Sequence, residues 1–337
     1  MKEAPRLNLA HLPTPLQLLS SISEQAGRNI WVKRDDLTGF SISGNKVRKL
    51  EYSLAKAKAE GADVIVTCGG IQSNHCRATA ILGAKLGFKV HLLLRGEEPE
   101  SVDGNLFLDQ LAGAEISYFA ARYYHAHLDF IAEETCGKYR REGQKPFFIP
   151  TGASDAVGVW GYANAAAELK DDFARLEIAP EHIVSATGSG GTQAGLTAGV
   201  LMHQVPAQVT GYAVCDDEAW FVNKVRKDIE DWVEDYEIEL DLNSLNINVR
   251  DAYIGEGYAI ADKPVFDTIT QVFRKEALLL DPVYSGKAFY GMLSDIASGE
   301  FEGQGDIEAQ AVIQAGALVG GGHDAAAGTG DGHVIVG

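Results

Sequence analysis

The sequence predicts an α/β fold with two halves, each an open, mostly parallel sheet flanked by helices. Short apolar runs rich in β-branched and aromatic residues alternate with longer helix-like stretches, which is the pattern of βαβ units. Two of these runs lead into a glycine-containing turn and then a helix, one in each half of the chain. The 337 residues also exceed one ordinary core, and by length predict two domains of about 100–200 residues each.

The predicted strands follow one another along the chain. They are 63–68 (DVIVTC), 89–94 (KVHLLL), 115–119 (EISYF), 146–150 (PFFIP), 182–187 (HIVSAT) and 209–214 (VTGYAV). The first is followed by GGIQSN and a helix that ends near Gly87, and the fifth by GSGGTQAG and a helix that ends near Met202. An acid-rich helix with a solvated face is predicted within 216–242.

The net charge of the chain limits the classes of partner that it can bind. There are 47 acidic and 29 basic residues, a formal net charge of −18, which argues against nucleic-acid or anionic-membrane binding because both need broad basic surface. The N-terminal stretch lacks a secretory apolar region, and no run approaches the roughly 18 apolar residues of a membrane span. We therefore expect a cytoplasmic protein.

The cysteines predict neither a metal site nor a disulfide framework. Cys68, Cys76, Cys136 and Cys215 have no CxxC spacing and no accompanying histidine cluster. We expect four buried, reduced thiols and no bound metal.

A glycine-rich turn at 185–195, SATGSGGTQAG, predicts an anion site. A strand, a glycine turn and a helix start are the geometry in which backbone N–H groups hold a phosphate. The dinucleotide fingerprint would need glycine where Gln193 stands, and the Walker pattern would need a Lys-Ser/Thr pair that is absent. A single phosphate is therefore favoured over NAD or ATP, and the alternative is a turn whose glycines serve packing alone. The loop residues are Gly188, Ser189, Gly190, Gly191 and Thr192.

Cations crowd the start of another predicted helix, in SGNKVRKLE (43–51). Lys46, Arg48 and Lys49 lie in its first turn, where the helix dipole disfavours positive charge, so an anion is expected nearby. Residues 43–45 offer capping side chains. The dipole and the neighbouring cations lower the pKa of Lys46 and favour a neutral amine, which is a nucleophile toward aldehydes. The alternative is a solvated surface lysine.

The stretch GGIQSNHCRATA (69–80) is the corresponding feature of the first half. Ser73 and Asn74 stand at a predicted helix N-terminus that suits a carboxylate, with the Ser73 hydroxyl available for acid/base work. The alternative is a simple N-cap. We interpret His75 and Cys76 as structural.

Seven motifs in order across about residues 10–300 resemble the D-cysteine desulfhydrase and 1-aminocyclopropane-1-carboxylate deaminase family. They are LPTPL (12–16), WVKRDDLTG (31–39), SGNKVRKLE (43–51), GGIQSNH (69–75), ATGSGGTQAGL (186–196), GEGY (255–258) and LLLDPVYSGKA (278–288). The resemblance implies pyridoxal 5'-phosphate as cofactor and the twisted sheets of the tryptophan-synthase-β-like fold (fold type II). It also implies a homodimer, a larger cofactor-binding domain from 1–48 plus 157–337, and a smaller domain from 49–156.

The same resemblance implies a role for individual residues. Lys46 would carry the cofactor covalently, Lys49 would pair with its phosphate beside the loop 188–192, and Asn74 would bind its ring hydroxyl. Arg48 would be solvated or paired elsewhere. The residues that would face a small amino-acid substrate are Ser73, Tyr258 and Tyr284.

The implied reaction is β-elimination from a small amino acid to a keto acid and ammonia, as in D-cysteine desulfhydrase. The alternative within the family is cyclopropane ring opening, which Ser285 disfavours because the deaminases carry glutamate there. Gln314 and Ala315 stand where the family has His and Thr near the ring, so the pyridine nitrogen would be partnered by Ser285, by water or by nothing. A Gly/Ala-rich tail from Gly316 follows, predicted to be poorly ordered.

Two alternative functions lie outside this chemistry. A binding role on a decayed enzyme scaffold is the alternative that the altered C-terminal segment keeps open. An oxidoreductase with a nicotinamide cofactor is disfavoured because its fingerprint fails at Gln193.

Overall fold

The computed structural model describes residue 2, residues 4–301 and residues 311–314. Ala315 and the tail predicted from Gly316 lie outside these residues. The strands are β1 (Leu16–Leu18), β2 (Ile30–Lys33), β3 (Val64–Gly70), β4 (Lys89–Arg95), β5 (Glu115–Phe119), β6 (Pro146–Ile149), β7 (His182–Thr187), β8 (Gln208–Ala213), β9 (Asn248–Arg250) and β10 (Ala311–Gln314). The α-helices are α1 (Ser20–Ala26), α2 (Lys46–Ala59), α3 (Asn74–Leu86), α4 (Gly104–Leu111), α5 (Ala121–Arg141), α6 (Ala156–Leu176), α7 (Gly191–Met202), α8 (Glu218–Tyr236), α9 (Lys263–Glu276) and α10 (Ser285–Ser298).

Two sheets organise the described residues. One has six strands in the order β1-β2-β10-β7-β8-β9, in which only the β1–β2 pair is antiparallel. The other has four parallel strands in the order β5-β4-β3-β6. The predicted fold class, two open and mostly parallel sheets with flanking helices, is confirmed.

All six predicted strands are present, as β3 to β8, with ends within two residues of the prediction. The short strands β1, β2 and β9 were not predicted, and β10 lies in the centre of the six-stranded sheet between β2 and β7. Apolar side chains of the strands and of the neighbouring helices are buried against one another in both sheets, as expected for parallel sheets that are covered on two faces.

The predicted acid-rich helix is α8, which is less solvated than its composition indicates. Val225, Ile229 and Trp232 of this helix are fully buried, whereas Trp220 is 45% exposed. The helix therefore packs an apolar stripe against α6 and α7.

The described cysteines are free thiols, as expected, but not all are buried. Cys68, Cys76 and Cys136 are buried, and Cys215 is half-buried. The expectation of four buried thiols is therefore wrong for Cys215, which follows β8 at the wall of a cavity.

Capping side chains mark the start of two helices that follow strands of the four-stranded sheet, α3 and α6. Ser73 precedes α3 and its Oγ accepts from the backbone N of Cys76 at 3.2 Å, and Asp155 caps α6 by accepting from Gly158 N at 2.8 Å.

Among the described residues, none of the helices is long and apolar enough to cross a membrane.

Candidate active site

A cavity of about 720 Å³ lies where the carboxyl ends of β3 and β7 meet. Open α/β sheets bind their ligands at this edge, and the volume is typical of small-molecule sites. The predicted site residues that line it are Lys46, Ser73, Asn74, Gly188, Ser189, Gly190, Thr192, Tyr258, Tyr284 and Ser285. Lys49 and Gly191, which were also predicted, are buried beside the cavity wall.

Lys46 begins α2, as predicted, and its side chain reaches the cavity. Enclosure by protein lowers the pKa of Lys46 to about 8, with Arg77 adding to the effect and Asp281 opposing it. The direction agrees with the prediction, but the main cause is burial, and the charged neighbour that lowers the pKa is Arg77. The amine is therefore partly neutral near pH 8 and available as a nucleophile.

Asn45 precedes α2 but does not cap it with its side chain, so the expected capping role is wrong for this residue. Its Oδ1 accepts from Lys46 Nζ at 3.0 Å and its Nδ2 donates to Thr192 Oγ1 at 3.1 Å. One amide thus links the reactive lysine to the glycine loop across the cavity.

The glycine loop joins β7 to α7 in a conformation that side chains would disturb. Gly190 has φ +87°, in the left-handed region, and a Cβ there would lie 3.2 Å from Lys224 Cγ. A Cβ on Gly191 would lie 2.8 Å from Ser154 Cα. The helix has no side-chain cap at Gly190, and the N–H group of Gly191 in its first turn donates to Ser154 Oγ at 3.1 Å.

Lys49 is fully buried and reaches the glycine loop through Ser154. Its Nζ donates to Ser154 Oγ at 3.3 Å, and the same oxygen lies 2.8 Å from Ser189 Oγ and accepts from Gly191 N at 3.1 Å. Burial and the charge of Lys46 hold the pKa of Lys49 well below its ordinary value. An anion at the loop would restore the charge on this amine.

Lys224 of α8 is a second cation at the loop, and the sequence did not single it out. It lines the cavity, its Nζ donates to Ser154 O at 3.1 Å, and it pairs with Asp228. Burial raises the pKa of Asp228 to about 6, with Lys224 opposing the rise.

Asn74 lines the opposite wall at the start of α3, next to Ser73. Ser73 caps α3 and also lines the cavity, so the N-cap is observed and its role toward a ligand stays a prediction. His75 and Cys76 are buried, and His75 Nε2 lies 2.7 Å from Thr67 Oγ1. His75 also lines the cavity, so its structural role stays a prediction.

Tyr258 and Tyr284 form a pair of phenols at the cavity, with their hydroxyl oxygens 2.5 Å apart. Burial raises the pKa of both, and of Tyr284 well above its ordinary value. Lys46 Nζ lies 5.7 Å from the Tyr284 ring centroid. The two hydroxyls are therefore protonated near neutral pH and can serve as proton donors.

Ser285 begins α10 and lies beside Asp281, a residue that the sequence did not single out. Ser285 Oγ donates to Asp281 Oδ2 at 2.6 Å, and Asp281 Oδ1 accepts from the backbone N of Tyr284 at 2.6 Å. Asp281 thus fixes the turn that presents both predicted residues to the cavity.

Arg48, the third of the crowded cations, forms ion pairs with carboxylates of the protein itself. It is buried, with Nη2 at 2.8 Å from Asp35 Oδ1 and Nη1 at 2.9 Å from Glu168 Oε2. Of the two fates expected for Arg48, pairing is the one observed.

The comparisons with known proteins decide the family. A family model described as "Pyridoxal-phosphate dependent enzyme" matches residues 7–310. The chain belongs to this family. It is 37% identical over 298 residues to the mitochondrial bifunctional D-cysteine desulfhydrase/1-aminocyclopropane-1-carboxylate deaminase of Arabidopsis thaliana, covering 86% of this chain and 73% of the relative.

Two further matches agree with this pyridoxal-phosphate-dependent family. The D-cysteine desulfhydrase of Serratia proteamaculans is 35% identical over 316 residues, covering 91% of this chain and 93% of that protein. A crystal structure of an ACC deaminase homologue superposes with a TM-score of 0.85 at 35% identity, covering 94% of this chain and 93% of that one. The cofactor class and the family resemblance expected from the sequence are confirmed, and a nicotinamide oxidoreductase is not supported.

The residues present fit pyridoxal phosphate. The cofactor needs an amine that reacts with its aldehyde and a cradle for its phosphate. Lys46 supplies a half-buried amine of lowered pKa, and Gly188, Ser189, Gly190 and Thr192 of the glycine loop line the same cavity. No group of three or more metal-ligating side chains occurs among the residues that the structure describes.

Proposed function

We propose that this pyridoxal-phosphate-dependent enzyme is a lyase that cleaves a small amino acid by β-elimination to a keto acid and ammonia, as its relatives' name D-cysteine desulfhydrase implies. The observation that carries the proposal is the position of Lys46. Its amine, with a pKa of about 8, lies at the wall of the same cavity as the glycine loop and the phenol pair.

The residues that would hold the cofactor come from several elements. Lys46 would bind its aldehyde carbon, and the backbone of Gly188–Thr192 would hold its phosphate with Lys49 and Ser154 beneath. Asn74 and Ser285 would contact the ring. Bound pyridoxal phosphate supplies an electron sink for the carbanion formed at the α-carbon of the amino acid.

The remaining groups handle protons. Lys46 Nζ, once released by the amino group of the substrate, is the base placed to accept the α-proton. Tyr258 and Tyr284 stay protonated because their pKa values are raised, so either can donate to a departing β-substituent. Ser73 faces the same space and would bind the substrate carboxylate together with the first turn of α3.

The second candidate is ring opening of 1-aminocyclopropane-1-carboxylate, which the names of the relatives support. The site favours elimination, because Ser285 stands in place of the acidic glutamate of the deaminases and gives its own hydrogen to Asp281. A thiolate or chloride leaves with little acid assistance, whereas ring opening needs a proton delivered to carbon.

One assay separates the candidates. The holoenzyme is given D-cysteine, β-chloro-D-alanine or 1-aminocyclopropane-1-carboxylate at equal concentration, and pyruvate and 2-oxobutyrate are separated by chromatography. We expect pyruvate from the first two and little 2-oxobutyrate. Faster ring opening would favour the deaminase, and no keto acid from any amino acid tried would favour a binding role on a decayed scaffold.

The proposal includes the organisation of the chain. The four-stranded sheet uses strands within residues 64–149, which supports a smaller domain of 49–156 and a larger cofactor-binding domain of 1–48 plus 157–337. We also propose a homodimer in the cytoplasm. Light scattering of the purified holoenzyme tests the dimer, and a monomer at micromolar concentration would contradict it.

A further inference from the structure

A chain of hydrogen bonds runs from a buried arginine to the cavity wall. Arg77 of α3 donates from Nη1 to Asn105 Oδ1 at 3.1 Å, and Asn105 of α4 donates from Nδ2 to Asn74 Oδ1 at 2.9 Å. Arg77 and Asn105 are 3% and 1% exposed. Asn74 lines the cavity, so the chain connects a fixed charge to the site.

The chemistry of the partners sets the direction of each amide in this chain. A guanidinium only donates, so Asn105 must turn its oxygen to Arg77. A backbone carbonyl only accepts, and the Asn105 Nδ2 also donates to Gln72 O at 2.8 Å. Two independent partners therefore place the oxygen of Asn105 toward Arg77 and its NH₂ group toward Asn74.

The orientation of Asn105 then decides that of Asn74. The two ends of an amide have almost the same shape, so hydrogen-bond partners determine which end points where. Because Asn105 presents NH₂, Asn74 must present its oxygen to Asn105. The NH₂ group of Asn74 is the end that remains for the cavity.

We propose that Arg77 and Asn105 are positioning residues that hold Asn74 with its NH₂ group toward the cavity, where it donates to an oxygen of the bound cofactor. The inference rests on the proposed function. A fixed donor favours an anionic oxygen over a neutral hydroxyl, because hydrogen bonds to a charged acceptor are the stronger ones. The backbone of Asn105 supports the arrangement, since its N donates to Gln72 Oε1 at 2.8 Å.

The deciding variant is Asn105→Asp, which keeps the shape and the Arg77 contact but replaces NH₂ by oxygen. Asn74 must then turn its own NH₂ to residue 105 and present its oxygen to the cavity. We expect the dissociation constant of pyridoxal phosphate to rise about tenfold, the effect of exchanging one hydrogen bond for a repulsion. The constant is measured by equilibrium dialysis of apoprotein with the cofactor.

A double-mutant cycle shows whether the effect passes through Asn74. On an Asn74→Ala background, Asn105→Asp should change the dissociation constant by less than about twofold, because the Asn74 amide that it would turn round is absent. Asn164→Asp is the matched control, since Asn164 Nδ2 donates to Tyr52 OH at 2.6 Å, away from the lining of the cavity. It should leave cofactor binding unchanged.

The outcomes are distinct. An unchanged dissociation constant in Asn105→Asp, or an equal rise with and without Asn74, would overturn this inference and leave the proposed function intact. A wild-type protein that binds no pyridoxal phosphate would overturn both. If thermal unfolding shows that Asn105→Asp does not fold, Asn105→Ser tests the same contact, with an expected rise of about threefold that also vanishes without Asn74.

Discussion

The hydroxyl of Ser285 is committed to Asp281. Its Oγ donates to Asp281 Oδ2 at 2.6 Å and accepts from the backbone N of Asp281 at 2.9 Å. A hydroxyl has one hydrogen, so toward the cavity Ser285 presents only acceptor capacity. Asp281 therefore governs both the electrostatics of the site and what Ser285 can offer to a ligand.

Replacing Asp281 by Asn should lower the pKa of Lys46 below its present value of about 8, because Asp281 is the charge that opposes the effect of burial. The neutral amine is the form that captures an aldehyde. The midpoint of the pH dependence of cofactor capture by apoprotein should therefore move to lower pH.

Asp267→Asn is the control for this shift. Asp267 is exposed and pairs with Lys263 on α9, so its loss should leave the midpoint unchanged. A midpoint that stays in place or rises in Asp281→Asn would show that the Asp281 charge does not act on Lys46.

Gly190→Val should weaken cofactor binding strongly, because an L side chain at φ +87° is strained and its Cβ would lie 3.2 Å from Lys224 Cγ. We expect at least a tenfold rise in the dissociation constant, or about 1.4 kcal/mol. Equilibrium dialysis against pyridoxal phosphate measures it.

Gly87→Val separates loss of binding from loss of stability. Gly87 has a similar φ of +82°, at the C-terminus of α3, with nothing within 4 Å of its Cβ position. Both variants should unfold at lower temperature, and only the one at Gly190 should bind the cofactor less tightly. Equal binding by the two variants would remove the loop from the phosphate site.

Asp109→Asn should make the protein more stable at alkaline pH. Burial raises the pKa of Asp109 to about 8, against 3.8 for the ordinary group, with Arg77 opposing the rise. Between these values the folded chain holds a proton that the unfolded chain has lost, so stability falls as pH rises from about 4 to about 8. The Asp109→Asn variant has no proton to release at this position, so it does not lose stability in this way.

Urea unfolding at several pH values measures the effect of Asp109→Asn. The advantage over wild type should grow from about pH 5 to pH 8 and reach about 1–3 kcal/mol. Asp231→Asn, which affects an exposed pair with Lys227, should show no such growth. A variant that is less stable than wild type at pH 8 would show that the buried carboxyl is stabilised in its charged form.

The parts of the site that could be predicted are local in sequence. The glycine loop and the start of α2 each lie within a few residues, so helix and turn chemistry places Lys46 and Gly190 without knowledge of the fold. The same reasoning predicted β3 to β8, of which all but the four-residue β6 have five or more residues. It did not predict β1, β2 or β9, which have three or four residues and little pattern.

The residues that sequence reasoning missed depend on contacts between distant segments. Lys49 meets Ser154 across 105 residues, and Asn105 meets Asn74 across 31, so no local pattern indicates either pair. Asp281 is different, since an aspartate shortly before a helix start in LLLDPVYSGKA is a capping signal that could have been used. The sequence did not identify the partners of Arg48 among the crowded cations, which are the carboxylates of Asp35 and Glu168.

The central claim, that Lys46 carries the cofactor in this cavity, is tested most directly by reducing the holoenzyme with borohydride and mapping the labelled peptide. Lys33 is held by Glu168 and Asp172, and Lys287 Nζ donates to the carbonyls of Ile254 and Gly257, so neither amine is free to compete. We predict pyridoxyl label on Lys46 alone, and no visible absorbance band in Lys46→Ala. Label on Lys33, Lys287 or any other lysine of the wild-type protein would contradict the account.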